Sequence, residues 1–221
     1  MEFVVTGDGS KTLYHPEIGE HYHSQNGALQ ESEHVFLKSG LQFLRAKDAV
    51  DEVNILEVGF GTGLNFLVTS QYANKEGIKL RYYGIEAYPL MPEIIMQTGY
   101  EKFVERELWD SFVANYPVVL EQPVEMLPNI TLGIRPCKVM EYTHQGKVDL
   151  VYFDAFAAVR QPEMWSEDTL YHVCQFLRPG GVFVTYAITG NLKRAMRNLG
   201  FEIEKAPGAL GKREMLRAIK L

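Results

Sequence analysis

Three acidic residues stand where this chain could handle a cationic ligand and a nucleophilic amine. Glu57 precedes the run Gly59-Phe60-Gly61-Thr62-Gly63, Glu86 closes a short apolar run, and Asp154 closes another, Val148-Asp149-Leu150-Val151-Tyr152-Phe153. Glycines at alternate positions let the backbone turn tightly and bring main-chain N–H groups against a ligand without Cβ clashes. The spacing is G-x-G-x-G, not the G-x-G-x-x-G of dinucleotide sites, and no Lys-Ser/Thr follows as a Walker loop requires. An acid two positions before the first glycine suits a cationic amine better than a pyrophosphate, and S-adenosylmethionine carries such an ammonium group. Glu86 is placed to accept both ribose hydroxyls of a nucleoside. An NAD site is the rival reading of the turn. At Asp154 a carboxylate can accept a hydrogen bond from an attacking amine, aim its lone pair at a methyl donor and take its proton. Phe156 and Trp165 follow with rings that can stack on a base or lie against a cation.

These residues need strand ends to hold them, and the pattern supplies them. Short apolar runs over 53–58, 80–85, 130–134, 149–153 and 181–187 alternate with helical stretches after Thr62, after Pro92, around 103–115 and near 192–199. Repeated βα units predict a mainly parallel, doubly wound sheet, whose ligands bind at the carboxyl ends of the strands. Two further runs, 201–205 and 215–219, predict an antiparallel hairpin at one sheet edge. Before the sheet, residues 3–14 read as a hairpin and residues 29–46 as a helix.

The composition is that of a globular protein: 221 residues, 46% hydrophobic and 23% charged. No apolar run approaches a membrane span, and Met1-Glu2-Phe3-Val4-Val5-Thr6 lacks the features of a signal peptide. Two cysteines, Cys137 and Cys174, make no disulfide framework, so a reducing cytoplasm is expected. His21 and His23 lack further ligands, so no metal is expected. The net charge of −6 is unevenly spread: residues 193–221 carry +5 and the first 192 carry −11. Lys193, Arg194, Arg197, Lys212 and Arg213 on that basic end are candidate phosphate contacts.

The run Leu56-Glu57-Val58-Gly59-Phe60-Gly61-Thr62-Gly63-Leu64-Asn65-Phe66-Leu67 resembles the signature of one family. It is the methyltransferase domain of the bacterial enzyme that makes 5-methylaminomethyl-2-thiouridine at the tRNA wobble position. Three more blocks match in order: 26–36 (Asn26 to Phe36), Asp154-Ala155-Phe156-Ala157 with Pro162-Glu163-Met164-Trp165, and Pro207-Gly208 with Lys212-Arg213-Glu214-Met215-Leu216. The resemblance spans about residues 20–217. It implies an α/β, Rossmann-like class I S-adenosylmethionine-dependent methyltransferase with a seven-stranded, mostly parallel sheet. Residues 51–221 form that domain, and residues 1–50 a hairpin and helix extension.

The same resemblance implies transfer of a methyl group to the amine of 5-aminomethyl-2-thiouridine in the anticodon loop. It puts Glu57, Gly59, Gly61, Gly63, Asn65, Glu86 and Cys137 at the cofactor, with Tyr22, Asn26 and Glu31 of the extension closing over cofactor or substrate. Asp154 and Phe156 take the catalytic roles, and Trp165 and the five basic residues face the tRNA. With no second glycine fingerprint, the chain resembles the stand-alone form, which relies on a separate enzyme to form the aminomethyl group. Two departures stand out. Ala158-Val159-Arg160 replaces the family's usual proline, and Gly133-Ile134-Arg135-Pro136-Cys137 offers no acid for the adenine amino group, leaving backbone near Cys137 for that task. A methyltransferase or aminopropyltransferase for small amines, and a non-catalytic nucleoside-binding module, remain alternatives.

Overall fold

The structure, a computed structural model, describes residues 1–48 and 50–221. The N-terminal hairpin forms as expected: β1 (Glu2–Val5) pairs antiparallel with β2 (Lys11–His15), and a two-residue strand, β3 (Glu20–His21), adds to β2. A continuous helical segment then runs over 28–47, with its middle, Ser32–Gln42, wound as a π-helix. Gly40 lets this segment lie close on the main sheet, because a Cβ there would come within 2.8 Å of the Tyr152 ring. Val35, Phe36, Leu41 and Leu44 are fully buried there in one core with Tyr152, Val182 and Val184. Each such apolar side chain contributes about 1.5–3 kcal/mol by leaving water.

The main sheet comprises β4 (Glu52–Val58), β5 (Lys79–Ile85), β6 (Val124–Leu127), β7 (Ile130–Arg135), β8 (Val148–Phe153), β9 (Leu177–Thr185), β10 (Phe201–Pro207) and β11 (Glu214–Lys220). Their order is β10-β11-β9-β8-β4-β5-β7-β6. The five strands from β9 to β7 are parallel, and β11 pairs antiparallel with β9, as the C-terminal hairpin requires. One strand goes beyond the expected seven. β6 is four residues long and returns into β7 through Pro128-Asn129, where Asn129 takes φ 68°, a left-handed conformation that Asn tolerates.

The central strands are apolar on both faces: five of the six residues of β8 are buried. That is the signature of parallel strands covered by helices on each side. From β4 the chain winds outward through β5 to β7, then crosses back to β8 and β9 on the other flank. The strand order therefore reverses between β4 and β8, and side chains leaving their carboxyl ends share one crevice. Among the described residues no helix is long and apolar enough to cross a membrane.

Candidate active site

The glycine turn is built from the end of β4 into the helix Leu64–Lys75. Gly59 takes φ 83° and Gly61 φ 52°, conformations that L side chains rarely adopt. Gly59 and Phe60 donate their N–H groups to the Ile85 carbonyl at 3.0 and 3.2 Å, which locks the turn onto β5. Gly63 shares this conformation at φ 81° and does a second job. It caps the helix, and a Cβ on it would lie 2.7 Å from the Phe112 ring, so this glycine answers to core packing.

A cavity of about 640 Å³ opens at this reversal point. Its walls are Gly59 to Gly61, Glu86 to Tyr88, Cys137 to Glu141, Asp154 to Phe156, and the N-terminal residues Glu20 to Gln25 with Glu31. Glu86 is fixed on both sides, one oxygen accepting from the Gly61 N–H at 2.9 Å and the other from the Tyr88 N–H at 3.0 Å. Cys137 lines the wall half-buried, and burial pushes its thiol up. Glu141, unremarked in the sequence, reaches the same wall from a single 3-10 turn, Val139–Glu141.

Below the cavity floor two carboxyls share one amide. Asn65 Nδ2 donates to Glu57 Oε1 and to Asp154 Oδ2, both at 2.8 Å, and the Tyr82 hydroxyl donates to Glu57 Oε2 at 2.9 Å. Glu57 is 0% exposed and does not line the cavity, since its carboxyl lies with Asn65 and Tyr82. Burial, then the nearness of Asp154, holds the Glu57 carboxyl well above the usual range. Burial pushes Asp154 up to about 8, and Glu31 adds to that rise, while the Asn65 hydrogen bond and Lys212 oppose it. Asn65 Oδ1 is buried with no hydrogen-bond partner among the described residues.

The opposite wall is assembled from distant parts of the chain. The rings of Tyr22 and Phe156 meet edge to face at 5.1 Å, and His15 meets Phe156 at 6.0 Å. Glu20 Oε2 accepts from the Ala157 N–H at 3.0 Å, and Trp165 Nε1 donates to the Phe156 carbonyl at 2.7 Å, so the loop after Asp154 is held from both ends. Lys212 sits at the exposed rim of the cavity, its side chain 37% exposed and its ammonium 2.8 Å from Glu31 and 4.1 Å from the centre of the Tyr186 ring. Arg194, Arg197 and Arg213, also exposed, and the half-exposed Lys193 lie outside the cavity.

The structure thus brings Tyr22, Glu31, Gly59, Gly61, Glu86, Cys137, Asp154, Phe156 and Lys212 to one cavity. It sets Glu57, Gly63, Asn65 and Trp165 behind its walls. Glu20, Tyr186 and Glu141 are additions that no local motif announces. Among the described residues no cluster of three or more His, Cys, Asp or Glu is placed to hold a metal ion. The donor set fits a cationic nucleoside cofactor: a glycine backbone cradle, a fixed carboxylate at the end of β5, and further carboxyls around the cavity.

Comparison with known proteins agrees with that chemistry. A family described as S-adenosyl-L-methionine-dependent methyltransferase matches residues 104–221, just over half of the chain. The tRNA 5-methylaminomethyl-2-thiouridine biosynthesis bifunctional protein MnmC of Polaromonas naphthalenivorans is 29% identical over 98% of this chain and 35% of its own length. The same-named protein of Magnetococcus marinus is 31% identical over 95% and 32%. The chain therefore spans about a third of the length of these curated relatives. The crystal structure of MnmC2 from Aquifex aeolicus superposes with a TM-score of 0.78 at 25% identity, covering 99% of this chain and 70% of that one. Magnesium protoporphyrin IX methyltransferase from Synechocystis with bound S-adenosylmethionine shares the fold at a TM-score of 0.54 and 12% identity, over 88% and 81%. With a class I fold, an acid-lined cavity at the strand reversal and a family match over most of the sheet's second half, the chain belongs to the S-adenosyl-L-methionine-dependent methyltransferase family, an enzyme whose cofactor is S-adenosyl-L-methionine.

Proposed function

We propose that this enzyme methylates the primary amine of 5-aminomethyl-2-thiouridine at the wobble position of tRNA. The observation that carries the reading is that 98% of the chain matches a protein named for 5-methylaminomethyl-2-thiouridine biosynthesis. The acidity of the cavity supports an amine as the acceptor. When bound, S-adenosylmethionine supplies an electrophilic sulfonium methyl group. The glycine turn would admit it, Glu86 would take the ribose hydroxyls, and backbone near Cys137 would meet the adenine. Glu57 acts from behind, through Asn65. Asp154 accepts a hydrogen bond from the substrate amine, orients it and takes its proton. Phe156 and Tyr22 enclose the aminomethyl group, and Trp165 fixes the Phe156 carbonyl.

The wobble base lies in a single-stranded loop, so turning it into the cavity requires little unstacking. Lys193, Arg194, Arg197 and Arg213, outside the cavity, contact phosphates of the tRNA. Residues 1–50 act as an extension that closes the cavity of the methyltransferase domain, residues 51–221. The reaction takes place in the cytoplasm, needs no metal, and follows a separate enzyme that forms the aminomethyl group. The test is incubation with labelled S-adenosylmethionine and tRNA from a strain lacking this modification, then nucleoside analysis. Label in 5-methylaminomethyl-2-thiouridine is expected. Label transferred to free polyamines but not to tRNA would overturn the reading in favour of a small-amine methyltransferase, the alternative that the net charge of −6 supports.

A further inference from the structure

The substrate amine poses an electrostatic problem that the cavity has to solve. An aminomethyl group is an ammonium near neutrality, whereas attack on a methyl donor needs its lone pair. Carboxyls attract the ammonium, yet each also stabilises its charge and raises the affinity of neighbouring carboxylates for protons. Asp154 has several such neighbours. Glu20 reaches it from β3, Glu31 from the helical segment 28–47, and Glu57 from β4 through Asn65. The Tyr186 ring sits among Asp154, Glu20 and Glu31. Among the described residues one cation enters this cluster, and it comes from far along the chain.

That cation is Lys212, on the loop between β10 and β11. Three contacts return this loop to the N-terminal segment: Asn26 Nδ2 to the Leu210 carbonyl, His34 Nε2 to the Pro207 carbonyl, and Lys212 Nζ to Glu31 Oε1. Glu31 cannot swing away readily. Its side chain is 9% exposed and its other oxygen accepts from the Ser24 N–H at 2.8 Å. Tyr186 is likewise fixed, its hydroxyl donating at 2.9 Å to the carbonyl of Ala155, the residue after Asp154. Two fixed partners, the Glu31 carboxylate and the Tyr186 ring face, therefore hold the Lys212 ammonium at the cavity rim.

We propose that Lys212 is a positioning residue for the transfer reaction: clamped between Glu31 and the face of Tyr186, its ammonium offsets the surrounding acids and so keeps a larger share of Asp154 as the carboxylate able to deprotonate the substrate. The step it supports is simple. The substrate's N–H bond breaks, its proton forms an O–H bond on Asp154, and the electron pair stays on nitrogen as the attacking lone pair. The same ammonium repels the substrate's positive charge and so favours its neutral form. Lys212 lines the cavity, whereas the basic residues of the helix Gly190–Asn198 lie outside it. Glu31 and Tyr186 contribute by holding it in place.

This inference rests on the proposed amine substrate for its purpose, but its physical core can be tested without tRNA. In the cofactor-free chain, the Asp154 carboxyl is titrated by carbon-13 NMR in the wild type and in Lys212→Met, Lys212→Arg and Glu31→Gln. The wild-type midpoint should lie near 8. Lys212→Met should raise it by about one unit or more, Lys212→Arg should leave it near the wild-type value, and Glu31→Gln, which removes one acid and loosens Lys212 together, should move it less than Lys212→Met does. The acid limb of kcat/KM against pH should move with the midpoint, giving roughly a tenfold loss at pH 7 for Lys212→Met. An unmoved midpoint in Lys212→Met, with weaker tRNA binding alone, would make Lys212 a phosphate contact and overturn the proposal. A midpoint that moves in a chain inactive on tRNA supports the role of Lys212 and overturns the substrate reading instead.

Discussion

The cavity wall made by the glycine turn and Glu86 comes from adjacent strand ends, and its bonds are to backbone: Gly59 and Phe60 to Ile85, Gly61 and Tyr88 to Glu86. The facing wall joins β3, the helical segment 28–47, the loop after Asp154 and the β10–β11 loop, held by side-chain bonds such as Glu20 to Ala157 and Lys212 to Glu31. The first wall is fixed by the sheet itself and suits a cofactor whose shape never varies. The second depends on single side chains, so its geometry and charge can be tuned without disturbing the fold. The two walls should respond differently to mutation.

Asp154, on the second wall, should give the largest separation. Asp154→Ala is expected to reduce turnover by about 10²-fold or more, while calorimetry with S-adenosylhomocysteine registers little change in affinity. A parallel loss of cofactor affinity would mean that the two walls are not separable. The same carboxyl links the site to stability. With Asp154 held near 8 against an ordinary value of 3.8, the folded protein binds this proton more tightly than the unfolded chain. Stability from this group is complete below pH 3.8 and declines as pH rises through 8. Asp154→Asn should therefore gain on the wild type between pH 5 and pH 9, by about 4 kcal/mol in urea unfolding. Parallel curves would show that burial there is weaker than the geometry indicates.

The difference between the walls also explains what the sequence could and could not reveal. The glycine turn, Glu86 and Asp154 were legible because apolar runs ending in those residues mark strand ends, and strand ends in a parallel sheet face one crevice. Glu57 was legible as an acid but not as a buried one. Only the positions of Asn65 on the next helix and Tyr82 on β5 show where its carboxyl goes. Glu20, Tyr186 and the place of Lys212 at the cavity rim depend on chain closure over long separations, 181 residues between Glu31 and Lys212. No periodicity encodes that. In the fold, β6 escaped notice because four residues beside Pro123 and Pro128 are too short a run to alternate visibly. The helix of 28–47 was readable from its apolar spacing, but its π-wound centre and the docking of Gly40 on Tyr152 answer to the sheet beneath it.

On the first wall, Glu86→Gln should weaken S-adenosylhomocysteine binding by about tenfold, the loss of one charge-assisted bond. The acceptor KM should hardly move. A change in acceptor KM as large as the change in cofactor affinity would mean that Glu86 senses both ligands.

The smallest effect should come from Glu20→Gln, and it tests the second wall most narrowly. Glu20 touches neither the glycine turn nor Glu86; its oxygen accepts the Ala157 N–H, and its charge lies near Asp154. Gln keeps an acceptor for that N–H but removes a negative charge, so the loop should stay in place while Asp154 becomes a slightly weaker base. The expected result is a change of only a few-fold in kcat/KM, about 0.5–1 kcal/mol, with the acid limb of the pH profile moving down. Glu20→Ala removes the bond as well, frees the loop that carries Phe156, and should raise the acceptor KM beyond the Gln variant. If Gln and Ala behave alike, charge alone accounts for Glu20. If only Ala has an effect, Glu20 is a mechanical tie, and the balance of charge around Asp154 lies with Glu31 and Lys212.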